Sequence, residues 1–394
     1  VPTLNDVLAG SQAQAVQVQQ IIDALKGTPN KGVPVALVSL NDPNNYALTV
    51  QNDDPVNSRA LSVLKADGTT LISADATGVT LGAPVNVPPG SISGTAIAAG
   101  SITNAMLGAD VARANLLTNG GFEIWQRGNG PFTGAGTAFG PDRYAMSLAG
   151  TDTLSVSKNT ANVDVGSSAC AACTFVLGTG AGATALFQTL KAADGSQLAG
   201  RTVSASCRVS VNVANAVRVA LTYDGTGGGV TYSVFHTGSG AYQTLTVTAT
   251  IPANATTVTF AVYFAASCTA YLDNANLVVG AQPANYVPLH PADDLARCLR
   301  YYEIMGSPGS ADISFNAYQA AGSFIGIPMT HRVIKAVAPT TTKVGTWAVT
   351  NCGQPSIAAP STYGYQLAAA VTALGNATIN SSNAGNTITV ESNP

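Results

Sequence analysis

Three histidines are the first side chains to test for chemistry, and His236, His290 and His331 fall far apart. None has a second histidine three to five positions away, the spacing that brings two imidazoles to one zinc ion. Cys170-Ala171-Ala172-Cys173 is a single pair with no partner pair, and reads as two small residues in a Gly/Ala loop. Gly178-Thr179-Gly180-Ala181-Gly182-Ala183 matches a dinucleotide fingerprint loosely. Strand-like segments flank it and no helix follows to receive a phosphate, so a hairpin loop is expected instead. No nucleophile elbow or phosphate loop occurs. Glycoside hydrolysis needs only two carboxyls at a set separation, which spacing along a chain does not reveal. Rings that can stack on sugars are plentiful: Trp125, Tyr144, Tyr223, Tyr232, Tyr242, Tyr263 and Tyr271. Most such rings fill cores or cross-strand gaps, and strand register decides which face outward.

Composition narrows the classes these residues can serve. Only 9% of the 394 residues are charged, against about 25% in an ordinary soluble protein. Disorder does not follow, because 46% are hydrophobic, whereas disordered chains lack apolar surface. The net charge is −3 and no Lys/Arg run stands out, so a nucleic-acid backbone finds no cationic track. No stretch reaches the ~20 apolar residues that span a bilayer, so membrane insertion is not expected. The first fifteen residues lack a positive start and a long apolar run, unlike a secretory signal. The expectation is assembly in a cytoplasm, with exit by a route such as cell lysis. Six cysteines are too sparse for a disulfide scaffold. Cys207 lies in 203–209, where every odd position is apolar, and reads as a small core residue.

The elements that would position these residues are mostly short strands. Residues 4–25 are the exception. Leu4, Leu8, Ser11, Ala15, Val18, Ile22 and Leu25 alternate spacings of four and three, a heptad seam that needs partner helices. Gly27 and Pro29 stop it, so 1–29 is expected to be an N-terminal coiled-coil helix. Residues 30–83 break into Val33–Leu40, Tyr46–Gln51, Ala60–Lys65, Thr70–Ala74 and Val79–Leu81, each closed by a turn signal. They suit an extended shaft in which three chains wrap one axis. Residues 84–114 read as a linker or neck: Pro84, Pro88 and Pro89 open it, and Gly90-Ser91-Ile92-Ser93 echoes ten residues on as Gly100-Ser101-Ile102-Thr103. Alternation returns in 115–289 at Thr202–Val211, Val217–Tyr223, Thr231–His236, Leu245–Ile251, Val258–Phe264 and Tyr271–Val279. Each strand has one apolar face, as in an antiparallel sandwich of jelly-roll type. Pro291 and the pair Asp293-Asp294 mark a connecting helix, 290–303. A C-terminal β tip domain, 304–394, follows, with strands at Val333–Val337, Thr346–Thr350, Gly364–Val371, Ala377–Asn380 and Thr387–Glu391. The fold class is thus mainly β and elongated.

Three segments carry a resemblance. Asn119-Gly120-Gly121-Phe122-Glu123-Ile124-Trp125-Gln126-Arg127-Gly128 with Gly140-Pro141-Asp142-Arg143-Tyr144, Ala270–Leu277 with Pro283–Pro288, and the helix Asp293–Glu303 resemble a module and tip-introducing segment of tailed-bacteriophage tail fibres and prophage structural proteins. The module is also similar to jelly-roll carbohydrate-binding modules, which open on a Gly-x-Phe-Glu-like strand and close on an Asp-rich one. That resemblance implies a structural calcium between the two ends, with Glu123 and Asp273 as candidate ligands; Asn274 stands where a second acid is common, and Tyr144 where a Trp is frequent.

The resemblance implies a non-enzymatic structural fibre of the virion, exposed on the particle exterior. Its homotrimer would form through Leu4, Leu8, Ala15, Val18, Ile22 and Leu25, and its N-terminus would meet other virion proteins. The sandwich and tip would meet host-surface glycans. The tip carries few charges and the aromatics Tyr318, Trp347, Tyr363 and Tyr365, which suits neutral sugars or a trimer interface equally. Two further readings stand beside this one: a head or neck fibre or capsid decoration with no receptor role, and a polysaccharide-cleaving spike.

Overall fold

The computed structural model describes residues 59–64, 70–75 and 78–81 by their backbone, and 113–393 except 135–138, 181, 193–196, 307–311 and 383–384. The chain divides into two compact units, Val1–Ile97 and Ala98–Pro394. The heptad at 4–25, the strands expected at Val33–Leu40 and Tyr46–Gln51 and nearly all of the neck lie outside the described residues. In the first unit β1 (Arg59–Leu64), β2 (Thr70–Asp75) and β3 (Gly78–Leu81) pair antiparallel in chain order. They match the expected short strands within one residue at each end.

The second unit holds a two-sheet sandwich. One sheet has five strands in the order β11 (Gly229–Tyr232), β10 (Val217–Tyr223), β13 (Thr257–Phe264), β8 (Thr184–Lys191) and β5 (Ala145–Ser147). The other has six: β12 (Gln243–Thr250), β9 (Thr202–Val211), β14 (Cys268–Val279), β7 (Cys170–Val176), β6 (Thr153–Asn159) and β4 (Phe132–Thr133). The period-two pattern sets which face is buried. In β12 Leu245, Val247 and Ala249 point inward while the intervening threonines stay exposed. In β9 Val203, Ala205, Cys207, Val209 and Val211 all join the core, placing Cys207 where its flanking pattern put it. The stretch 178–183 corrects one expectation. It joins β7 to β8, which lie in different sheets, so it crosses the sandwich edge and is not a hairpin. Cys170 and Cys173 likewise sit within β7, not in a loop, and both are buried and free.

Helix α1 (Pro291–Leu299) follows, with His290 as N-cap. It is shorter than the expected 290–303: the chain turns at 300–301, and Tyr302–Met305 becomes strand β15. Tyr301 and Tyr302 are buried, and β15 pairs with the last strand, a long-range partner that local helix signals do not register.

Beyond it lie three three-stranded antiparallel sheets: β15–β23 (Thr387–Glu391)–β18 (Thr340–Val344), β16 (Ser314–Gln319)–β22 (Gly375–Asn380)–β19 (Ala348–Thr350), and β17 (Phe324–Thr330)–β21 (Gly364–Ala370)–β20 (Ser356–Ala358). They enclose their own core around Ile325, Trp347, Leu367, Ile379, Ile388 and Val390. Trp347 and Tyr365 are interior, whereas Tyr318 and Tyr363 are exposed. Residues 333–337 are irregular and not the expected strand, because Lys335 turns inward there and is buried.

Candidate functional site

The two acids singled out from the sequence converge on one loop, 164–168. Glu123 Oε1 accepts from the Ser168 amide at 3.2 Å and its hydroxyl at 3.0 Å. Asp273, fully buried, accepts from the Asp164 amide at 3.0 Å, the Ser167 hydroxyl at 3.1 Å and the Asn274 amide at 2.8 Å. Burial pushes the Asp273 carboxyl up to about 6. Arg208 does the opposite to Asp164, binding it through Nε at 2.6 Å and holding it below the usual carboxylate range. Asn274 has a left-handed φ of 49° at a bulge in β14, a conformation that asparagine tolerates better than most residues. A calcium ion takes six to eight oxygens. Both Asp273 oxygens already face N–H and O–H donors. Among the described residues no three His, Cys, Asp or Glu side chains form a metal-holding group. This donor set fits a clamp on loop 164–168 and does not fit an ion.

The opening segment is a turn structure, not the strand its resemblance implies, with φ of 56° at Asn119 and 53° at Phe122. A Cβ on Gly120 would lie 2.4 Å from the Ala275 carbonyl, so only glycine lets this turn approach β14. The rest of the segment, with 140–144, builds a seam to the C-terminal sheets. The Asn119 amide donates to Asp294 Oδ1 of α1. Gln126 Nε2 donates to the Tyr302 carbonyl at 3.1 Å. Arg127 lies 3.5 Å over the Tyr302 ring and pairs with Glu391. Arg143 lies 3.6 Å over Tyr301 and donates to Asn393 Oδ1 at 2.9 Å. Asp142, fully buried beside Gln126 and Arg127, is pushed up to about 6 by burial. Tyr144, at the position where a Trp is frequent, is 0% exposed and cannot meet a ligand.

The histidines do not converge. His236 is buried, accepts the Gly238 amide on Nδ1 and so presents Nε2–H to the Ala241 carbonyl. His331 stands beside a buried charge cluster in the C-terminal sheets. There Lys335 Nζ meets Glu303 Oε2 at 2.6 Å and the Leu299 carbonyl at 2.5 Å, with both side chains wholly buried. Burial pulls His331 below the ordinary histidine range. This cluster ties α1, β15 and the 331–339 segment together.

Among the described residues concavities open beside Glu123 and loop 165–167, between Met305, Ile313 and Arg332, and on the outer face of the five-stranded sheet; the last is lined by two aromatic rings. The sheet's inner residues Val217, Val219 and Leu221 fill the core, so Arg218, Ala220 and Thr222 face out. Cross-strand pairing sets Arg218 beside Tyr263, Ala220 beside Ala261 and Thr222 beside Thr259. Tyr263 and Ala261 in turn pair with Ala185 and Phe187. The result is a groove of about 210 Å³ floored by Ala185 and Ala261 and walled by Phe187, Tyr263, Ser147, Thr222 and Thr259. Small residues in the floor leave the gap. Tyr232 meets Tyr263 edge-on with centroids 5.6 Å apart. Thr259 and Thr189 share a hydrogen bond at 3.0 Å, while Thr222 Oγ1 has no protein partner. Of the seven aromatics considered from sequence, Tyr263 lines the groove and Tyr232 packs against Tyr263. Phe187 and Arg218 were missed; the alternation around them in β8 and β10 was the available signal.

No protein-family model matches the chain, and no curated protein matches it. Several solved structures match part of the chain. A CBM22 xylan-binding domain of Paenibacillus barcinonensis is 13% identical with a TM-score of 0.28, covering 44% of this chain and 98% of that one. A CBM4 module is 16% identical with a TM-score of 0.27, covering 41% and 98%. The enzymatically active domain of tailspike protein 4 of bacteriophage CBA120 is 11% identical with a TM-score of 0.30, covering 42% of this chain but only 21% of that one. This chain also spans just 26% of a Clostridium thermocellum xylanase chain that joins CBM22 and GH10 modules. These likenesses are weak, and the antiparallel two-sheet sandwich is read from this chain's own strand order.

Proposed function

We propose that the sandwich binds glycans, and that the chain is the subunit of a trimeric tailed-bacteriophage fibre carrying this module to the host surface. The observation that carries the binding reading is the groove itself. It offers aromatic faces for the C–H surfaces of sugar rings and hydroxyls for their polar edges, in a concavity open along the sheet. Its lining holds no carboxylate, which favours binding over glycoside cleavage there. The fibre reading rests on the heptad at Leu4–Leu25 and on the resemblance of the segments at 119–144, 270–288 and 293–303. Closed rotational symmetry suits chains in register around an axis.

The test of binding is affinity electrophoresis of the purified chain against a panel of bacterial surface polysaccharides, neutral and acidic. Tyr263→Ala, on a partly exposed outer face, leaves the circular dichroism unchanged and loses retardation. A chain that no glycan retards, or a Y263A variant retarded like the parent, refutes the reading. Sedimentation tests the trimer: the expected mass is about three times 39.6 kDa, and a stable monomer at micromolar concentration removes it.

A further inference from the structure

We infer that the groove selects acidic polysaccharides, with the Arg218 guanidinium as the group that receives a sugar carboxylate. The inference rests on the glycan-binding reading and names its ligand class. Arg218 stands directly across from Tyr263, the groove's aromatic wall. Its guanidinium carbon lies 3.5 Å over the Tyr232 ring and 4.7 Å from the Phe235 ring. Stacking holds the guanidinium in place while leaving its N–H edge unused. Among the described residues no carboxylate or hydrogen-bond acceptor engages that side chain, in contrast to Arg127, Arg143 and Arg208, each bonded to protein acceptors.

An acid directly across the sheet would stabilise an arginine on an outer strand face. Here its cross-strand neighbours are an aromatic and small residues. The other cation of this face, Lys191, lies at the far end of β8, paired across to Thr257. Among the described residues, two acids in the loops bordering the sheet are engaged elsewhere. Asp224 accepts from the Thr256 and Thr257 amides, and Asp152 from the Gly178 amide and the Thr184 hydroxyl. Arg218 and Lys191 are the charged side chains on the five strands of this sheet, on a chain whose net charge is −3. A fork of fixed N–H donors beside a sugar-sized groove matches a planar carboxylate bidentately, and uronic acid residues present such a group on the ring edge. A net-negative protein gains nothing from diffuse attraction to a polyanion, so binding of one must be local.

The experiment titrates the full chain with polygalacturonate, alginate and hyaluronan, each before and after chemical reduction of its carboxylates to hydroxymethyl groups, at 0.15 M salt. We expect at least one acidic polymer to bind and its reduced form to bind on the order of tenfold more weakly, the scale of a charge-assisted hydrogen-bond pair. Arg218→Gln brings the acidic polymer down to the level of its reduced form and leaves the reduced form unaffected. Arg218→Lys, which keeps the charge and loses the fork, falls between. Arg201→Gln, an exposed arginine outside this face, changes neither. Equal binding of acidic and reduced polymers, or an R218Q variant that binds like the parent, overturns the inference while glycan binding stands. Binding confined to neutral glycans of the panel also overturns it. Absence of binding to any glycan, acidic or neutral, overturns both readings together.

Discussion

Replacing Lys335 by methionine removes the cation from a fully buried ion pair of the C-terminal region. Lys335 Nζ contacts Glu303 Oε2 at 2.6 Å and the Leu299 carbonyl at 2.5 Å, and neither side chain is exposed. Removing one member of such a pair strands the other charge, a loss of about 3–5 kcal/mol. The lower end applies here, because Arg332 Nε lies 3.5 Å from Glu303 Oε1 and is free to move, its side chain being 62% exposed. His331 offers no replacement charge near neutral pH, since burial holds it below its usual range. For a cooperative unit of this size about 3 kcal/mol corresponds to a fall in Tm of roughly 10 °C. Scanning calorimetry of the full chain measures it. The double variant Glu303→Leu with Lys335→Met should recover to within about 1.5 kcal/mol of the parent, because two apolar side chains replace a pair that had to be desolvated. A single variant melting within about 2 °C of the parent, or a double variant as unstable as the single one, refutes the reasoning.

Stability should also rise as pH falls from 7 to 5. Asp142 and Asp273 are both raised from 3.8 to about 6 by burial, so the folded state holds their protons more tightly than the unfolded chain. Their stabilising contribution is full below pH 4 and is lost as pH climbs through 6, about 1 kcal/mol each between pH 5 and 7; denaturant titrations at the two pH values read it, and a flat or inverted profile counts against it. Two groups act the other way: His331, held low by burial, costs stability as pH falls through the ordinary histidine range and offsets part of the rise, and Asp164, held low by Arg208, does so as pH falls below the ordinary carboxylate range. Chelation should leave the melting temperature unchanged, because Glu123 and Asp273 clamp loop 164–168 through serine and amide donors; a drop on adding EDTA, restored by calcium, would show that an ion sits there. Arg127→Ala should open the seam between sandwich and C-terminal sheets. It loses the ring of Tyr302 and the Glu391 carboxylate, at about 1–3 kcal/mol, and limited proteolysis should cut near 290–303 faster than in the parent; unchanged cleavage would show that the seam stands without it.

The sandwich was legible in the sequence because period-two alternation is local. Leu245, Val247 and Ala249 against their threonines state which face is buried, whatever sheet the strand joins. The start of α1 was equally plain, since Pro291 and Asp293-Asp294 act within one turn. Where that helix ends was not, because Tyr302–Met305 is extended only by pairing with β23, some ninety residues along the chain. The inward turn of Lys335 had no local sign either: its partner Glu303 is supplied by another strand. The motif at 119–144 was recognisable, yet its work is tertiary. Gln126, Arg127 and Arg143 reach residues of the C-terminal sheets that no spacing rule connects to them. The groove shows the division most clearly. Strand alternation determines that Arg218, Phe187 and Tyr263 each point away from the core of the sandwich. Only the order β11-β10-β13-β8-β5 and its register set the rings around the alanine floor and leave the guanidinium without an acid opposite it.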